Sequence, residues 1–178
     1  MKEIVSQLEK ISTNSKNTFG KLSAEQINWK PTAESWSIGQ CFEHLIKSNE
    51  LYYKDFDEIA AGTRRNSFYE HYSPLSGLFG KFVANALKKD NQKTKTIPQA
   101  APPSEIDSQI IEKFAAHQAN LIEKMDAMKN ADWRKTTLTS PFLKIATYSL
   151  VDTFQIIIEH EKRHFRQAER VMNVARFR

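Results

Sequence analysis

The sequence predicts an all-α protein, a single domain over residues 1–178 built as a four-helix bundle with short additional helices in its connections. Three observations predict it. Four long stretches repeat apolar residues at i, i+3, i+4 and i+7, the period of a helix with one buried face. Glycine is scarce, at 5 of 178 residues, which disfavours a turn-rich sheet protein. Ser-x-x-Gln segments, the pattern of a capping box, stand just ahead of helical periodicity.

The first helix is expected from Lys2 to about Phe19, with Ile4, Leu8, Ile11 and Ser15 on one face and Gly20 as its stop. Ser23 and Gln26 cap a short turn of helix before Trp29 and Pro31. Ser37 and Gln40 open the second long helix, expected to run to about Ala61 and to end at Gly62. Its apolar side is Ile38, Cys41, Leu45, Tyr52, Phe56 and Ile59. Residues 63–72 read as irregular. Ser73 and Pro74 then start a shorter helix ending near Lys89. Residues 90–103, with three prolines, form an exposed connection. Ser104 is expected to cap the third long helix, whose core side is Ile106, Ile110, Phe114, Leu121, Met125 and Met128, with His117 among them. A link over residues 130–143 holds a short extended piece at Thr136–Thr139. The fourth long helix is expected from Thr147 to Met172.

Composition narrows the function classes. The net charge of +5 comes from Lys and Arg that mostly alternate with Asp and Glu along helices, so no basic face argues for nucleic acid. No apolar run approaches the ~20 residues of a membrane span. Cys41 is the single cysteine, which excludes an intramolecular disulfide. The first residues carry no apolar signal core, and a cytoplasmic location is the expectation.

The chemistry is concentrated on the fourth long helix. His160 and His164 are four residues apart and therefore share a face. Thr153, Ile156, Ile157, His160, His164, Gln167 and Val171 all lie within roughly 60° of one line along that helix. The histidines thus sit in the stripe that faces a core, where two inward imidazoles suit a metal ion. A metal centre needs a third ligand from another element. His44 is the best candidate, at the margin of the second helix's apolar side and in line with Ser48 and Asp55. From spacing alone two readings stand: a metal held by His44, His160 and His164, or three histidines bonded to helix carbonyls and side chains.

His160-Glu161-Lys162-Arg163-His164 also matches the H-E-x-x-H zinc-protease pattern, with Glu161 as base. Context argues against it. Glu161 is displaced about 100° from His160 around the helix. The acid that follows, Glu169, lies on the same helix and cannot return to the metal. Cys41 reads as a small buried hydrophobe and His71 as a loop residue, and Gln167 as a residue that orients a ligand, contacts substrate or satisfies a core polar group.

Three segments carry a family resemblance: Leu22-Ser-Ala-Glu-Gln-Ile-Asn-Trp-Lys-Pro31, Glu34-Ser-Trp-Ser-Ile-Gly-Gln-Cys-Phe-Glu-His-Leu45 and His160-Glu-Lys-Arg-His-Phe-Arg-Gln167. In their order and spacing the chain resembles the DinB-like (DinB/YfiT) superfamily. That resemblance implies an up-down-down-up four-helix bundle, a divalent metal (zinc, nickel or iron) on His44, His160 and His164, and a homodimer. It also implies a small-molecule substrate. Relatives of this kind include S-transferases that use low-molecular-weight thiols, and hydrolases. Many carry a further histidine at the place of Arg163, so the reaction of this chain stays open between a metal-dependent thiol S-transferase, a hydrolase, and a non-catalytic metal- or ligand-binding stress protein. A purely structural role for the bundle as an oligomer is the remaining reading.

Overall fold

The computed structural model describes residues 1–67, 70, 76–88, 96–143, 145–174 and 177, the side chains of residues 76–79 excepted. The described elements are α1 (Lys2–Phe19), α2 (Ala24–Asn28), α3 (Ile38–Glu50), α4 (Tyr53–Ala60), α5 (Ser76–Leu87), a 3₁₀ turn (Pro98–Ala100), α6 (Ile110–Ala127), β1 (Thr137–Thr139), β2 (Thr147–Ser149) and α7 (Leu150–Met172). The all-α class holds, with one two-stranded antiparallel hairpin added. α1 and α3 each pack against both α6 and α7, and α5 lies along α7 and β2. None of the described helices is long and apolar enough to cross a membrane.

The two capping boxes form as expected. Ser23 and Ser37 each accept the N–H of the glutamine three residues on, and each glutamine side chain reciprocates. Behind them the core fills with aromatic rings, Phe19 edge-on to Phe42 and Phe42 edge-on to Phe114. Gly39 marks where α3 enters this core. A Cβ there would stand 2.8 Å from Ile27 Cγ2 and 2.9 Å from Ile106 Cβ, so only glycine allows the approach.

Three boundaries differ from expectation, each for a local reason. The second long helix is two helices, because the Tyr52 N–H turns tightly back to the Asn49 carbonyl at 3.0 Å. The third begins at Ile110 and Ser104 does not cap it. Asn28 pins the segment ahead of it: its Nδ2 donates to the Ile106 carbonyl and its Oδ1 accepts the Ile106 N–H, both at 2.8 Å. Asp107 then accepts the Gln109 N–H at 2.8 Å. The fourth begins at Leu150, because Thr147–Ser149 pair in register with Thr137–Thr139. Ser149 closes the strand and caps the helix, accepting the Asp152 N–H at 3.1 Å. The expected start of the shorter helix at Ser73 and Pro74, and His71, lie outside the described residues.

Candidate metal centre

α3 and α7 pack side by side, and their facing positions bring His44, His160 and His164 together. Each offers a ring nitrogen, and the three atoms lie within 4.8 Å of one another. His160 Nε2 is 3.2 Å from His44 Nε2 and 3.1 Å from His164 Nε2.

The outer nitrogens fix the tautomers. His44 Nδ1–H donates to the Ala100 carbonyl at 2.8 Å, an oxygen that can only accept. His164 Nδ1–H donates to Gln167 Oε1 at 2.9 Å. Both rings therefore turn a bare Nε2 lone pair toward His160 Nε2. One proton on that nitrogen can answer only one of the two lone pairs, and the Ser48 hydroxyl reaches the one on His44 only at 3.4 Å, so a cation is the better occupant of the point they share. The spacing agrees. A tetrahedral ion about 2.0–2.1 Å from each nitrogen sets them roughly 3.3–3.4 Å apart, within a few tenths of the two distances from His160.

Electrostatics point the same way. Burial holds His164 down to about 3. Burial, then the neighbouring His164 and His44, hold His160 well below the usual histidine range. Burial also lowers His44. All three imidazoles stay neutral near pH 7, the form that ligates a metal. Trp36, one residue before the α3 cap, covers them, its ring 4.9 Å from that of His44 and stacked on that of His164 at 5.6 Å. The triad lies in the wall of an open cleft of about 1130 Å³, which Trp36, Tyr52, Phe142, Tyr148, Arg163 and Gln167 also line.

A model of the DinB superfamily matches residues 7–168. The chain belongs to the DinB superfamily. No curated protein and no solved structure matches it. In this DinB-superfamily chain the other candidates sort as follows. Ser48 stays beside His44, its Oγ 3.4 Å from Nε2. Asp55 turns away and is held by Arg64 at 3.4 Å. Cys41 is buried in the core, where its thiol is pushed up to about 12 and takes no part in the cleft. Glu161, about 100° around α7 from His160, is outside the cleft lining and is buried against Asn49 and Gln118.

Sequence reasoning missed several residues. The Ala100 carbonyl has no side-chain signal, because only the fold carries the 3₁₀ turn across His44. Trp36 was legible, since it directly precedes the N-cap of the helix that bears His44. Asn49 and Gln118, which bind Glu161, and the pairing of Tyr52 with Tyr148 depend on contacts between elements far apart in the chain.

Proposed function

We propose that this DinB-superfamily protein is a metal-dependent enzyme of the thiol S-transferase or hydrolase type. One observation carries the reading: three neutral imidazoles converge by their Nε2 atoms in the wall of an open cleft. His44, His160 and His164 would hold a divalent ion, and that ion would supply the Lewis acidity to lower the pKa of a thiol or a water. Ala100 and Gln167 hold the ligand rings in the tautomer this needs. Trp36 shields the triad on one side and leaves it open to the cleft. The apolar wall around Phe142 and Ile156 suits the organic body of a small electrophile. A low-molecular-weight thiol is the co-substrate we favour.

A second reading, a non-catalytic metal or ligand binder, is supported by the same wall. Among the described residues its one carboxylate is Glu34, on the loop before α3, so no side chain offers itself as a general base.

Elemental analysis of untagged protein tests the metal. About one equivalent of divalent metal is expected, lost in His44→Ala and His164→Ala while the helical signal persists. Thiol-transfer and ester screens with and without a chelator then separate the readings. Turnover that persists after complete metal removal sinks the metalloenzyme, and stabilisation by metal without turnover favours the binder.

A further inference from the structure

The cleft has a second polar pole in its wall. Tyr52, at the turn between α3 and α4, and Tyr148, on β2, meet hydroxyl to hydroxyl at 2.5 Å, and both line the cleft. Around them the wall is apolar, with Val83, Phe142, Leu143 and Ile156. Ser140 completes the group. Its Oγ accepts the N–H of Phe142 and of Leu143, each at 3.2 Å, which fills both lone pairs.

Donors and acceptors in this group do not balance. The bond between the two phenols uses one O–H, in whichever direction it points. Ser140, filled as an acceptor, gives its own O–H to the Tyr148 oxygen and takes no proton from it. One phenol O–H is therefore left over, and no acceptor among the described residues takes it. Burial raises both phenols above the usual tyrosine range, so they remain protonated donors across the physiological span. A buried donor without an acceptor is costly, and an oxygen brought by a ligand removes that cost.

We propose that the Tyr52–Tyr148 pair is a binding subsite for an uncharged hydrogen-bond-accepting oxygen, of the carbonyl or ether class, on a molecule whose apolar body lies along Phe142 and Ile156. The subsite rests on reading the cleft as the substrate site. It deepens that reading by naming the substrate as an apolar, oxygen-bearing electrophile instead of a phosphate or other anion.

The test uses the full chain stripped of metal with a chelator, so that no bound ion contributes. Butyrophenone and butylbenzene, nearly matched in shape, are titrated by calorimetry. The ketone also sheds the water on its oxygen, so its preference is read against the ratio of the two ligands' water-to-alkane partition. In the wild type the ketone-to-hydrocarbon affinity ratio is expected to exceed that partition ratio about tenfold, the worth of one hydrogen bond to an otherwise unmet donor. In the double variant Tyr52→Phe with Tyr148→Phe this preference should vanish while butylbenzene binding is unchanged, which also shows that the cleft is intact. A wild-type ratio no higher than the partition ratio overturns the subsite, as does a preference that survives in the double variant. Failure of either ligand to bind the wild type overturns it too. The wild-type comparison decides even if the double variant does not fold. A ketone preference in a protein that never takes up metal would keep the subsite and discard the metalloenzyme. Metal uptake without the preference would do the reverse.

Discussion

Glu161 neighbours a triad histidine in sequence but turns from the cleft into the packing of α7 against α3 and α6. It is fully buried, and its two oxygens each accept one amide N–H, from Asn49 at 2.8 Å and from Gln118 at 2.7 Å. Burial raises its carboxyl to about 7 against the pull of those two donors. The residue that the H-E-x-x-H pattern would make a catalytic base is thus a strut between α7 and its neighbours α3 and α6. Glu161→Ala leaves one N–H of each buried amide unmet and should lower unfolding free energy by about 3–5 kcal/mol in a urea titration. A variant of unchanged stability that loses all turnover would restore the protease-like role. The same Asn49 amide also donates to His117 Nε2 at 3.2 Å, so His117 Nδ1–H donates to Tyr53 Oη at 3.0 Å. Burial holds His117 down to about 4. Its folded pKa is below the unfolded value of about 6.5, so the unfolded chain binds the extra proton between those limits. Stability from His117 is full above about 6.5 and falls as pH drops toward 4, by up to about 1.4 kcal/mol per pH unit. His117→Gln should flatten that acid arm in urea titrations from pH 7 to 4. An unaltered slope would show that His117 already titrates normally in the fold.

α3 works as an element because it is buried on nearly every side. One side carries His44 into the cleft, another sets Phe42 on Phe19 and Phe114, and its N-terminal turn lies against Ile27 and Ile106. A change in its seating should therefore reach the triad. Gly39→Ala puts a methyl within 3 Å of both isoleucines and should cost about 1–3 kcal/mol, read as a lower urea midpoint. We also expect weaker metal uptake in that variant, since His44 lies just over one turn further on. α7 shows how much of an element the sequence exposes. Its 3.6-residue period made the stripe from Thr153 to Val171 legible, and Thr153, Ile156, Ile157, His164 and Val171 are buried as that stripe requires. Its start was not legible. Thr147 to Ser149 continue the apolar pattern of the helix, and only pairing with β1 turns them into a strand.

At the scale of the whole molecule the connections between the long helices complete the site. The 3₁₀ turn Pro98–Ala100 supplies the carbonyl behind His44, and the hairpin supplies Tyr148 and the Phe142 wall. Arg64 fastens the end of α4 to that hairpin. Its side chain, almost fully buried, donates to Glu70 at 2.7 Å and to the Thr137 carbonyl at 2.9 Å. Glu70 also accepts from Thr139 at 2.9 Å. Removing one partner strands the other charge in a dry place, so Arg64→Ala should cost about 3–5 kcal/mol by chemical denaturation. A loss under about 1 kcal/mol would mean that solvent reaches Glu70 and that the clasp is a surface pair.

The sequence by itself determined the all-α class, both capping boxes, the cysteine in the core and the shared face of His160 and His164. These follow from local rules: helical period fixes which residues share a face, and the cap lies within three residues of what it caps. The tertiary structure alone decided what each face meets. His44 and His160 are 116 positions apart, and Tyr52 and Tyr148 are 96. A hydrogen bond between such residues leaves no periodic trace in either segment, because it depends on how two helices or a helix and a hairpin are docked. For that reason the His160–His164 pair could be read from the chain and His44 named as its candidate third, whereas the carbonyl that orients His44, the strut at Glu161 and the phenol pair in the cleft required the fold.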